Sequence, residues 1–263
     1  MEKRTILYRK QANMKKNLPV VSLQDVEHFY IVGSQHRDGI LGEYNLKTDL
    51  KAALYPPEVK PEYEYVDLGL PSGTLWATMN VGATKPEEYG DYYAWGEVET
   101  KDVEDYTYDG YRFYPGNDSD EYTKYNSTDN KMSLDIEDDA AHVVLGGDWH
   151  MPSRAQFDEL IENTTSSWTT DYNGTGVAGA VFTSNINGNS IFFPAAGGVF
   201  DGSAEDQSME CYVWSSSRDS FSGNAWAWHG SSYDIAMDSY SCYYGLCVRG
   251  VLGELSDEDV LGE

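Results

Sequence analysis

Between residues 211 and 251 the chain reads CYVWSSSRDSFSGNAWAWHGSSYDIAMDSYSCYYGLCVRGV, dense in Tyr, Trp, Ser, Asp and Gly and free of Lys, Glu and Gln. Such a run reads as short strands broken by turns, because aromatic residues fit pleated surfaces and Ser, Asp and Gly fit turns. Its chemistry also matches a recognition surface. Tyr and Trp give rigid contact area with a polar tip, while Ser, Asp and Gly give adaptable hydrogen bonding. A plain Tyr-rich β protein would show the same composition, so both readings stay open on this stretch alone.

The rest of the chain narrows the choice. With 263 residues it can form one large domain, or one of about 200 residues with an appendage. Its 25 Gly call for many turns, while 40% hydrophobic and 14% aromatic residues are enough for a packed core. A net charge of −26 argues against a nucleic-acid backbone or an anionic membrane surface as partner. That charge is uneven: residues 1–60 carry 10 basic and 7 acidic groups, whereas residues 61–263 carry 8 and 37. The break coincides with the Pro-rich segment YPPEVKP at 55–61. The three cysteines, Cys211, Cys242 and Cys247, form no regular disulfide framework. The basic N-terminus lacks the apolar core and cleavage site of a signal peptide, and no apolar run is long enough for a membrane span. The expectation is a chain with no export route of its own.

In chain order, residues 1–19 read as a flexible basic arm. Strand-like runs follow at 28–32 and 39–45, giving residues 1–62 the character of an attachment or assembly element, or of a plain spacer. Strands 63–68 and 75–80 should meet in a hairpin across Pro71-Ser72-Gly73, with Trp76 in the core. A further aromatic strand and turn is expected over 89–97. Residues 98–132, acidic, Tyr-rich and poor in aliphatics, read as a long surface excursion. Within it the acidic run 117–121 reads as solvated rather than as a calcium loop, because it lacks the loop's Gly and terminal Glu. A helix is expected over 135–145, with Ile136, Ala140, Ala141 and Val144 as its apolar face and Gly146-Gly147 as its stop. A second is expected over 153–163, with Ser153 and Gln156 as a capping box over Phe157, Leu160 and Ile161. His150, with no partner at ligand spacing, reads as structural. Strands are expected over 179–183 and 188–194, and residues 252–263 form an acidic tail.

Six motifs occur in a characteristic order: YVDLGLPSGTLWA (65–77), GDYYAWGE (90–97), GGDWHMPSRAQFDEL (146–160), SIFFPAAG (190–197), YVWSSS (212–217) and YGLCVR (244–249). Together they resemble the Fibrobacter succinogenes major paralogous domain, which is similar to the C-type lectin fold in its formylglycine-generating-enzyme-like form. The resemblance covers residues 63–251. It implies an α+β domain of the C-type lectin fold: two helices, twisted antiparallel sheet and long loops, beside the small β-containing N-terminal element.

Variable proteins of diversity-generating retroelements share this fold, and in them the C-terminal stretch is the mutated one. Here that stretch is 214–251. The outward-facing, ligand-binding set implied is Arg218, Asp219, Phe221, Ser222, Asn224, His229, Ser232, Tyr233, Asp234, Asp238, Ser239, Tyr240, Ser241 and Tyr243. Trp214, Ala225, Trp226, Gly245, Val248 and Arg249 form the scaffold between them. Adenine mutagenesis of an AAC codon never yields Lys, Glu or Gln, and residues 215–246 hold none. Residues 163–204 hold none either, so that absence is not diagnostic.

The function implied is non-enzymatic recognition of a cell-surface protein or glycan, with no catalytic residue, metal or cofactor. Residues 1–60 would dock the chain on a larger particle, such as a phage virion, or in an oligomer, placing it on the virion or cell surface. Two alternatives remain. Cys242 and Cys247 resemble the oxidase pair of formylglycine-generating enzymes, although Arg249 alone stands near to lower a thiol pKa. A purely structural decoration protein is the other. The Glu-Pro-Asn, Gln-Pro-Asp and Trp-Asn-Asp motifs of calcium-dependent lectins are absent.

Overall fold

The computed structural model describes residues 63–116, 122–220 and 223–253, together with strands β1 (Ile6–Arg9), β2 (His28–Val32) and β3 (Ile40–Asn45). The chain divides into two compact units, Met1–Glu62 and Tyr63–Glu263. In the first, β2 pairs with β1 in parallel and with β3 antiparallel. β1 falls in the segment expected to be a flexible arm, so part of that arm is a strand.

Among its described residues the second unit is mixed α+β, mostly sheet with two α-helices. The hairpin forms as its turn chemistry predicts: β4 (Tyr65–Asp67) pairs with β5 (Leu75–Asn80), placing Val66 opposite a fully buried Trp76. The remaining strands are β6 (Tyr92–Tyr93), β7 (Thr164–Thr169), β8 (Gly179–Ser184), β9 (Ser190–Pro194), β10 (Gly198–Phe200), β11 (Ser203–Glu205), β12 (Glu210–Arg218), β13 (Asn224–Ser231), β14 (Ile235–Ser241), β15 (Leu246–Cys247) and β16 (Arg249–Leu252). They form a five-stranded sheet of order β14-β13-β12-β15-β6, three-stranded sheets β16-β5-β4 and β7-β8-β9, and the pair β10-β11.

The five-stranded sheet divides the core. Side chains alternate across a strand, so Trp214, Ala225 and Ala227 enter one apolar cluster with Trp95, Tyr111 and Tyr125. Val213 and Trp228 enter the other, with Trp76, Phe157, Phe182 and Phe193. Arg249 stitches strands together at the second cluster. Fully buried, it donates to Asn80 Oδ1 (2.9 Å), Ala77 O (2.9 Å) and Phe192 O (3.0 Å), and its guanidinium lies 4.3 Å from the Phe193 ring centre.

Helix α1 spans Ala140–Leu145 and α2 spans Arg154–Asn163. The expected start of the first helix is corrected. Residues Ile136–Asp138 form a 3-10 turn, Ile136 is exposed, and Asp139 caps α1 by accepting from His142 N at 2.9 Å. An Asp side chain that holds the first-turn N–H ends whatever precedes it. In α2 the capping box forms as written, and Phe157 and Leu160 are fully buried, each contributing roughly 1.5–3 kcal/mol.

The expected surface excursion is likewise corrected. Tyr106, Tyr111, Phe113, Tyr122 and Tyr125 are buried and belong to the first apolar cluster. The tyrosine hydroxyls find partners inside: Tyr106 donates to Tyr92 O (2.5 Å), Tyr111 to Trp95 O (2.7 Å) and Tyr125 to Asp138 Oδ2 (2.7 Å). The buried Asp138 carboxylate also meets Arg112 at 2.9 Å and Lys124 at 2.5 Å. Tyr thus does the work of an aliphatic core because each hydroxyl is satisfied. The acidic run 117–121 and the tail beyond 253 lie outside the described residues.

Candidate binding surface

The pairing of β12, β13 and β14 sets where each candidate residue lies. Tyr212 stands opposite His229, Asp238 opposite Ala227, and Tyr240 opposite Ala225. His229, Asp238 and Tyr240 therefore share the face that carries the first apolar cluster. Ser239 stands opposite Trp226 and Ser241 opposite Asn224, on the face toward α2. A period of two has dealt the predicted set onto both sides of the sheet.

The first face is built from rings and carboxylates. The His229 ring stacks on Tyr212 at 5.0 Å, and its Nε2 lies 3.0 Å from Glu210 Oε2, which fixes that nitrogen as donor. Its Nδ1 lies 3.7 Å from Asp238 Oδ2. The Tyr212 hydroxyl also donates to Glu210 and lies 3.2 Å from Asp206 Oδ2. Burial, with Glu210 beside it, pushes the Tyr212 hydroxyl pKa well up. From Tyr212 a chain of edge-to-face rings runs through Tyr240 on one side and Phe200, Tyr244, Tyr243 and Tyr108 on the other, at 4.8–6.0 Å between centres. Tyr240, Phe200, Tyr243, Tyr244 and Tyr108 are half-buried, packed against the first cluster with part of each residue left accessible.

The second group lies in the β13–β14 hairpin, where Ser232, Tyr233 and Asp234 are exposed and Tyr233 is 97% accessible. No residue of this turn takes a positive φ. The Ser231 Oγ holds it instead, accepting from Tyr233 N and Asp234 N at 3.2 Å each, while Ser231 N donates to Asp234 O at 2.8 Å. The hairpin borders a cleft of about 260 Å³ whose other wall is Ser166, Ser167, Trp168 and Ala180 from β7 and β8.

Two residues of the predicted set are not on the surface. Arg218, 7% accessible, donates from Nη1 to Asn126 O (3.1 Å) and Lys131 O (3.4 Å), and its backbone N–H donates to Met132 O (2.8 Å). It pins residues 126–132 to the end of β12. Asp219, 4% accessible, accepts from Ser239 Oγ at 2.5 Å and Ser220 Oγ at 3.2 Å. Asn224 Nδ2 in turn donates to Ser239 Oγ at 3.2 Å, so Asp219, Ser239 and Asn224 brace one another. Both corrections share a physical reason: a charged side chain buries where preformed carbonyls or hydroxyls await it. Phe221 and Ser222 lie outside the described residues.

Of the expected scaffold, Trp214, Ala225, Val248 and Arg249 are fully buried. Gly245 is buried too, and a side chain there would meet the Tyr106 ring at 2.8 Å. Trp226 is half-buried, with the Arg154 guanidinium 3.8 Å from its ring centre.

Cys242 and Cys247 lie in different apolar clusters, the first and the second, while Cys211 shares the second cluster with Cys247. All three are free, and burial pushes the Cys247 thiol up to about 12. A second cleft, of about 400 Å³, is bordered by Asp139, His142 and His150. There the backbone claims the polar atoms. His142 Nδ1 lies 3.1 Å from Trp149 O, and the His150 nitrogens lie 2.9 Å from Met151 O and Gly253 O. Asp139 accepts from Met151 N at 2.7 Å as well as from His142 N. Among the described residues, no group of three or more His, Cys, Asp or Glu is placed to hold a metal ion, and no helix is long and apolar enough to cross a membrane.

Reading the sequence alone missed Asp206, Glu210, Tyr212, Phe200, Tyr244 and Tyr108 on the sheet face, and Ser166, Ser167 and Trp168 in the cleft. Trp168 carried a signal: it is a single aromatic in the hydroxyl-rich run TTSSWTT at 164–170. No family model, no curated protein and no solved structure matches this chain.

Proposed function

We propose that residues 63–253 form a binding module of the C-type lectin fold whose C-terminal sheet face and hairpin recognise a ligand on a cell surface. The observation that carries this reading is the sheet face itself, where half-buried rings alternate with carboxylates over an aromatic core. Such a face supplies rigid apolar anchors beside directional polar groups, the combination found at interface hot spots. The order of the six sequence motifs supports the finer assignment, a variable protein of a diversity-generating retroelement carried by a phage or a gut bacterium. In that assignment residues 1–60 dock the module on a virion or cell-surface partner. The carboxylate-rich unit would favour basic protein surfaces and oppose anionic ones.

The reading predicts that fluorescently labelled full chain binds some members of a panel of gut bacterial isolates in flow cytometry. The combined variant His229→Ala, Tyr233→Ala, Tyr240→Ala, Tyr243→Ala, which alters both the sheet face and the hairpin, should lose that binding while its circular dichroism stays unchanged. Binding to no isolate, or binding that survives the combined variant, contradicts the proposal.

A further inference from the structure

The cleft between the β13–β14 hairpin and the edge of β7 has a lining unlike the sheet face, and its chemistry indicates its own ligand class. It combines two aromatic side chains, Trp168 and Tyr233, with four serines (Ser166, Ser167, Ser231 and Ser232) and one carboxylate, Asp234. No Lys, Arg or His borders it.

Each part has a defined state. Trp168 is half-buried on β7, and its register partner Ala180 on β8 is too small to fill the space beside the indole. Tyr233 projects from the hairpin with its ring free of the core. Ser166 and Ser167 are exposed, and Ser231 already spends its Oγ lone pairs on the turn, so its hydroxyl hydrogen is left to donate outward. Asp234 Oδ1 accepts from Ile235 N at 2.9 Å, leaving the exposed carboxylate a second oxygen for a ligand hydroxyl.

Resting on the reading of this unit as a binding module, we propose that the cleft binds a neutral pyranose, the terminal sugar of a surface glycan, without a metal ion. A pyranose has an apolar C–H face that stacks on an indole or phenol ring, and a rim of adjacent hydroxyls that both donate and accept. Trp168 and Tyr233 answer the face, and Asp234 with the serines answers the rim. A carboxylate accepting from sugar hydroxyls makes the stronger, charge-assisted kind of bond. The volume of about 260 Å³ falls just below the range of drug-sized ligand sites, roughly 300–1,000 Å³, and suits one ring rather than an extended chain. An anionic sugar would meet Asp234 and the acidic unit with no cation to receive it.

Saturation-transfer NMR on the full chain with EDTA present tests this. The probes are methyl β-glucopyranoside, methyl β-galactopyranoside, methyl α-mannopyranoside and N-acetylglucosamine, with glucuronate as the charged comparison. At least one neutral sugar should show transfer to its ring C–H protons. That transfer should be lost in Trp168→Ala and Tyr233→Ala and retained in Glu162→Ala, on the exposed side of α2. Tyr233 is solvated, so its variant reports on the cleft even if the Trp168 variant fails to fold. No transfer from any neutral sugar, transfer unchanged in Tyr233→Ala, or a stronger signal from glucuronate overturns the assignment. Cell binding that persists while no sugar registers would sink the cleft assignment alone and leave the binding-module reading standing.

Discussion

Arg218 gives its guanidinium to the carbonyls of Asn126 and Lys131 inside the fold, whereas Tyr233, in the same Ser- and Asp-rich run, stands in solvent. Substitution should separate the two sharply. Arg218→Ala removes the partner of two part-buried carbonyls and opens space where a buried side chain stood, so it should cost about 3 kcal/mol. Tyr233→Ala should stay within about 0.5 kcal/mol of the parent. Urea midpoints at constant slope measure both, and equal costs would mean that Arg218 is not the brace described here. This difference was not legible in the sequence. An Arg before Asp and Ser reads as polar surface, because the carbonyls that receive it come from residues far away in the chain. The exposure of Ser232, Tyr233 and Asp234 agrees with the outward-facing set that the family resemblance implied, and its physical reason is that a short run of turn-forming residues between two strands has nowhere to go but outward.

At the scale of elements, legibility followed the locality of the cause. The Ser153–Gln156 box lies within a few residues of the helix it starts, and α2 begins where that box predicts. Ser153→Ala should therefore lower stability by about 1 kcal/mol, and a loss near zero would mean that packing alone fixes the helix start. The first helix was misread at its start because Asp139, rather than an earlier acidic residue, caps it. The tyrosine-rich stretch was misread as surface because its apolar content hides in residues that also carry a hydroxyl, and partners such as Trp95 O and Asp138 cannot be seen locally. Tyr125→Phe tests that account. It removes a hydroxyl that donates to Asp138 and accepts from Asp135 N, and should cost about 1–3 kcal/mol by thermal or urea unfolding.

Across the whole molecule, the unusual reliance on tyrosine should show as a weakness at high pH. Burial raises nine tyrosine hydroxyls, reaching about 12 at Tyr92, Tyr106 and Tyr243, and higher at Tyr93, Tyr111, Tyr122, Tyr125, Tyr212 and Tyr240. The unfolded chain releases these protons near pH 10 and the folded chain only above it. Between those points the folded state binds more protons, so stability is full below about pH 10 and falls as pH rises through the folded values. Arg249, whose pKa burial lowers, acts in the opposite sense, but it is one group against nine. Urea midpoints at about pH 8 and pH 11 should differ accordingly, the higher pH being the weaker. Equal midpoints would mean that the hydroxyls reach solvent in the folded state.

The same rigid aromatic body is what would let a binding face change without loss of the fold. Comparing the gene across sister isolates tests that central claim most directly. The account predicts substitutions gathered at Asn224, His229, Ser232, Tyr233, Asp234, Asp238, Ser239, Tyr240, Ser241 and Tyr243, at adenine positions of a nearby template repeat. Trp214, Arg218, Ala225, Gly245 and Arg249 should be spared. Substitutions spread evenly along residues 63–253, or falling on those buried positions as often as on the face, would contradict it.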